Sequence, residues 1–165
     1  MKRGNIAAAL TLIGIGAWFL ALEIVPTLKG FAYGAQTWPL PIIGIGLFLA
    51  LIALLSWTPG LFVPASIVSG VGALLWWQNT TQNWDSWAYA WALIPGFVGI
   101  GMILAGILER NPGTLKAGGW MIFNSLILFA IFGSFLGGGE IVARYWPVLL
   151  ILFGLMLLIQ GVRRR

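Results

Sequence analysis

The side chains able to do chemistry in this chain are few. It holds four acids, Glu23, Asp85, Glu109 and Glu140, and neither His nor Cys. General acid–base catalysis needs a group that titrates near neutral pH, most often His, within reach of a partner. The set lacks one, and the same absence removes disulfides, thiolate clusters, His-ligated haem and the usual zinc sites. No enzyme is expected, and no catalytic residue, metal ligand or cofactor is assigned.

Polar groups inside apolar runs are the remaining candidates, because burying them in hydrocarbon is costly. Asn124 and Ser125 interrupt one such run. They can meet a substrate or partner subunit, or bond to a neighbouring helix, and the interhelical bond is the expectation. Glu23 closes the first run, six residues before Lys29, and reads as an outer-surface acid in preference to a proton relay. Gln160 stands beside Arg163, Arg164 and Arg165 at a headgroup level. Glu140 and Arg144 have i,i+4 spacing, an exposed pair contributing only a few tenths of a kcal/mol.

These residues sit in a chain built for hydrocarbon. Of 165 residues 60% are hydrophobic and 8% charged, and mean hydropathy is +0.98. Soluble domains carry roughly 25% charged residues, and a helix needs about 20 residues to cross a bilayer. The patterning predicts an all-α membrane protein, one integral domain over 1–165, with six spans: Asn5–Val25, Trp38–Leu55, Leu61–Trp77, Trp91–Leu108, Gly119–Leu136 and Trp146–Val162. The first run is long for a signal peptide and is expected to stay as a helix. Basic residues edge the runs, as positive-inside topology requires, so the charge of +5 does not argue for nucleic acid. Seven of the nine flank the termini and the Glu109–Lys116 loop, against Lys29 and Arg144 opposite, which places both termini in the cytoplasm. The expected location is a prokaryotic plasma membrane.

On the opposite side, Gln78–Asn83 is an uncharged polar run, expected as a loop, and Asn79-Thr80-Thr81 matches a glycosylation sequon only as a weak pattern. Trp84, Trp87 and Trp91 follow at helical spacing. They suggest a short interfacial helix lying along the headgroups, or an ordinary aromatic belt. Trp38 and Trp146 are further interfacial anchors.

Two segments open on Trp-Pro, pass six residues and reach Gly-Leu: Trp38-Pro39 to Gly46-Leu47, and Trp146-Pro147 to Gly154-Leu155. A looser copy runs from Trp91 through Pro95 to Gly101. Gly14 and Gly16 match Gly70 and Gly72 at an offset of 56, while Gly44 and Gly46 match Gly99 and Gly101 at 55. The predicted architecture is three tandem two-helix hairpins, about 4–56, 60–109 and 114–163. Pro in the first helical turn loses only an N–H without a partner, although Pro95 can instead kink a span. The later glycines permit close helix approach, so Gly14, Gly16, Gly46, Gly70, Gly72, Gly101, Asn124 and Gly154 are assigned to helix packing or partner contact.

This organisation resembles the transmembrane region of the LiaI/LiaF-type family of bacterial envelope proteins, with the best likeness over Gly4–Ser56 and Thr114–Arg163. The resemblance implies membrane hairpins, often joined in that family to a domain that senses stress or regulates a kinase; it carries no catalytic residues. No such domain is expected here. The leading expectation is a non-catalytic protein acting by interaction, an accessory subunit of a larger membrane complex or an envelope-stress regulator. Its partners would be lipids and other membrane subunits, with apolar grooves able to hold lipid, quinone tails or carotenoid-like pigment. The alternative is a small channel or carrier with a path between the hairpins.

Overall fold

The computed structural model describes residues 3–136 together with positions 148, 151 and 154, and the side chains from residue 5 onward except Ala7. Among the described residues every regular element is a helix. The first, α1 (Arg3–Ile24), ends where Pro26 forces Val25 into an extended conformation, φ −113° and ψ 97°. The chain then turns by 113° into α2 (Pro26–Ala32). Next come α3 (Pro39–Leu55) and α4 (Phe62–Thr81). Short turns from Trp84, with α5 (Trp87–Ala90) among them, lead into α6 (Ile94–Glu109), and α7 (Pro112–Leu136) follows.

Three stretches are long and apolar enough to cross a membrane: Pro59–Thr81, Trp84–Glu109 and Pro112–Leu136. The bent pair α1–α2 makes a fourth if counted as one span, while α3, with 17 residues, is shorter. The sixth expected span, Trp146–Val162, lies outside the described residues but for three positions.

Several expected boundaries move, each for a local reason. Helix α4 runs through the polar residues expected as loop, with the Thr80 and Thr81 hydroxyls donating back to the Trp76 and Trp77 carbonyls at 2.9 and 2.7 Å. It stops at Gln82, in the left-handed region at φ 53°. Helix α7 begins seven residues before Gly119, since the Asn111 carboxamide oxygen accepts from the Gly113 and Thr114 N–H groups and Pro112 fills the first helical position. The Trp84–Trp91 segment is not a separate surface helix: it forms the first turns of one 26-residue apolar helix ending at Glu109. Pro95 falls in the first turn of α6, where it interrupts no hydrogen bond.

The long helices touch mainly their neighbours in the chain: α1 on α3, α3 on α4, α4 on α6, α6 on α7. They stand in a row, not around a closed core. Among the described residues the buried apolar set is mostly Ala, with Leu22, Ile52 and Ile127 the large exceptions, while Leu47, Leu51, Ile107 and Leu126 are exposed.

Within the row, α3–α4 and α6–α7 are two versions of one antiparallel helix pair, each straddling the junction between two of the expected hairpins. Each turn is a Schellman cap, which closes a helix with a 6→1 and a 5→2 hydrogen bond around one left-handed residue. In the first, Thr58 N–H bonds Ala53 C=O at 3.0 Å and Trp57 N–H bonds Leu54 C=O at 3.3 Å. In the second, Asn111 bonds Gly106 at 2.9 Å and Arg110 bonds Ile107 at 3.2 Å. Trp57 and Arg110 have φ of 49° and 53°, and Pro-Gly follows each by one residue. Every pair is 53 positions apart, as are Trp38 and Trp91, which precede α3 and α6. This register differs by two or three residues from the 55–56 offset of the Gly-x-Gly and Pro matches.

Candidate functional site

Chemistry that could carry function lies in the glycine seams between helices and in a polar node at the Trp-rich end. In the α3–α4 seam, a Cβ built on Gly46 would lie 2.5 Å from the Ser69 amide nitrogen and 2.8 Å from the Ala65 carbonyl oxygen. In the α6–α7 seam, one on Gly99 would lie 2.9 Å from the Ile122 nitrogen and 2.6 Å from the Gly118 oxygen. These are the same contacts 53 residues on, backbone against backbone, where no side chain can give way. Gly118 returns the contact: a Cβ built there would lie 2.7 Å from the Gly99 oxygen. Such close approach gains dispersion contacts along two helices, the main source of helix association in lipid.

Of the expected packing residues, Gly72 faces α3, where a Cβ would lie 2.9 Å from the Ile43 nitrogen, and Gly101 joins α6 to the start of α4, where one would lie 2.5–2.6 Å from Val63 and Phe62 backbone. Gly14 receives the Phe48 ring, which links α1 to α3, and Gly70 receives the Phe97 ring, which links α4 to α6. A Cβ on Gly16 would meet nothing within 4 Å among the described residues, so Gly16 takes no part in this packing, while the segment around Gly154 lies outside the described residues. Asn124 does not cross to another helix: its amide donates to Trp120 C=O, one turn back in α7, at 2.7 Å. The interhelical bond belongs to Ser125, wholly buried, whose hydroxyl donates to Ala92 C=O at 2.6 Å.

The polar node joins three segments. Asn79, in the last turn of α4, donates through Nδ2 to the carbonyls of Ala35 and Gln36 at 2.9 and 3.2 Å. Its neighbour Gln78 is completely buried, donating through Nε2 to Ser86 Oγ at 3.1 Å, and Ser86 donates onward to Asn83 C=O at 2.6 Å. The Gln78 Oε1 acceptor is buried without a hydrogen-bond partner. Above the node, Trp38 stacks on Trp84 with centroids 6.4 Å apart and planes 8° from parallel. Trp91 packs on Phe132 at 5.1 Å and Tyr89 on Phe129 at 5.6 Å, which fasten the Trp84–Trp91 segment to the end of α7. The Trp91 N–H is used internally, by Ala88 C=O at 3.0 Å. Trp84, Trp87 and Trp91 all remain well exposed; Trp146 lies outside the described residues.

Glu23 and Lys29 form an ion pair at 2.8 Å across the α1–α2 bend, both exposed. Among the described residues no three Asp or Glu side chains gather in a cluster able to hold a metal ion.

Two sets of residues escape sequence reasoning. Gly99 and Gly118 carry the α6–α7 seam, and the Pro-Gly pairs counted backward and forward would have revealed them. Gln78, Asn79 and Ser86 look like loop polarity, and nothing in their spacing marks them as buried. No protein-family model matches the chain, and neither does any curated protein or solved structure compared with it.

Proposed function

We propose that this chain is a non-catalytic, multi-pass integral membrane protein that acts by interaction, as an accessory or structural subunit of a larger membrane complex or as an envelope-stress regulator of the LiaI/LiaF type. What carries the reading is the row of helices. Closed by backbone-tight glycine seams, the row leaves large apolar side chains such as Leu47, Leu51, Ile107 and Leu126 exposed among the described residues, surface for lipids or other membrane subunits to cover. A channel or carrier with its path between the hairpins is less favoured, because the seams press backbone onto backbone where that path would run.

The full arrangement would be six spans in three hairpins, with both termini on the cytoplasmic side of a prokaryotic plasma membrane. Two features support it: the equivalent turns at Trp57–Gly60 and Arg110–Gly113, both at the end opposite the Trp cluster, and the basic residues Arg110 and Lys116 at that end. The chain has no Cys, so single Cys residues report topology without background. Thr81→Cys should react with a membrane-impermeant maleimide from outside intact cells, and Gly113→Cys only after the membrane is opened. Labelling of both from one side would overturn the arrangement.

A further inference from the structure

We infer that α2 is an in-plane helix seated in the lipid headgroup layer at the Trp-rich end, an inference that rests on the membrane reading above. Its two ends are fixed at one depth. At the near end, the 22 residues of α1 rise about 33 Å, close to the hydrocarbon thickness of about 30 Å, so Ile24 reaches the far boundary. At the far end, the Asn79 amide grips the carbonyls of Ala35 and Gln36, and holds the chain just beyond α2 level with the last turn of α4. Between these points α2 is about 10 Å long and leaves α1 at 113°. A segment that short with both ends at the boundary has no length for a dip into hydrocarbon and a return.

The faces of α2 agree. Ala32 is buried against the protein and Leu28, one turn earlier, is half-buried. Lys29 and Phe31 point away, Phe31 45% exposed. The ion pair of Lys29 with Glu23, the latter 76% exposed, keeps charge at the bend, where water and headgroups can solvate it. Ile24, Phe31 and Tyr33 offer apolar surface at the same level, as do the exposed indoles of Trp76 and Trp77. A cationic side chain beside exposed aromatic rings fits the boundary between phospholipid headgroups and acyl chains.

The test places an environment-sensitive fluorophore on Phe31→Cys, on Thr27→Cys in α2 as a second position, and on Leu126→Cys midway along α7. Each protein is reconstituted into phosphatidylcholine vesicles carrying spin-labelled lipid, with the label at the headgroup or at the acyl terminus. For a helix seated within the headgroup boundary, the α2 labels should be quenched at least about twofold more by the headgroup label than by the deep one, and Leu126 the reverse. Deep quenching of Phe31 and Thr27 equal to that of Leu126 would make α2 re-entrant and overturn the inference. Quenching of the α2 positions by aqueous iodide alone would overturn it too, placing α2 in water. Failure of the deep label to quench Leu126 would instead overturn the membrane reading, and the in-plane assignment with it.

Discussion

Replacing Gly46 with Leu should lower the detergent melting temperature of the protein more than any other single change in α3. The new Cβ would meet the Ser69 nitrogen and the Ala65 carbonyl, main-chain atoms that cannot rotate aside, so α3 and α4 must separate along their length. Overpacking that shifts backbone costs about 1–3 kcal/mol, occasionally more. Gly99→Leu should do the same to α6–α7, because it stands at the matching position 53 residues on. Gly44→Leu and Gly16→Leu are the controls: a Cβ at either site meets nothing within 4 Å, and Leu is the better helix former. Melting of Gly46→Leu at the parent temperature would show that the seam is not closed as described.

Asn79→Leu should loosen the Trp-rich end. It is close to isosteric but removes the two hydrogen bonds to the Ala35 and Gln36 carbonyls, which contribute about 0.5–1.5 kcal/mol each. Hydrogen exchange should rise across residues 33–38, and limited proteolysis should cut there first. Gln78→Leu should behave differently despite deeper burial. It removes one bond to Ser86 together with an Oε1 that has no hydrogen-bond partner, so the loss of the bond is offset by relief of the unpaired acceptor. Equal protection of 33–38 in Asn79→Leu and the parent would mean that this amide does not hold the segment.

The two variants also mark where sequence reading succeeds and where it stops. Hydropathy reports how much apolar length lies between charges, which is why spans near α4, α6 and α7 could be drawn without a structure. It does not report depth. Gln78, Asn79, Thr80 and Thr81 read as a polar loop, yet α4 continues through Thr81, its Thr hydroxyls satisfied by the preceding turn while Gln78 and Asn79 turn inward. Asn111-Pro112-Gly113 fall within the expected Glu109–Lys116 loop, though Asn-Pro is also a cap followed by a first-turn proline.

The repeat was visible but in the wrong register. Gly-x-Gly pairs are frequent in this chain and align at 55, whereas a helix seam is set by which backbone atoms meet, and that pairs Gly46 with Gly99. Asn124 and Ser125 were singled out together. Only the azimuth around α7 decides between them, and one residue, about 100° of turn, sends Ser125 to α6 and leaves Asn124 on its own helix.

The most direct test of action by interaction is purification of the tagged chain from its native membrane in lipid nanodiscs, paired with flux measurements on liposomes that contain the chain alone. The predicted result is a stoichiometric membrane partner in the nanodiscs and liposomes as tight to ions and small solutes as empty ones. A chain that purifies by itself and gives its liposomes a saturable flux would contradict the account and make the protein a carrier or channel.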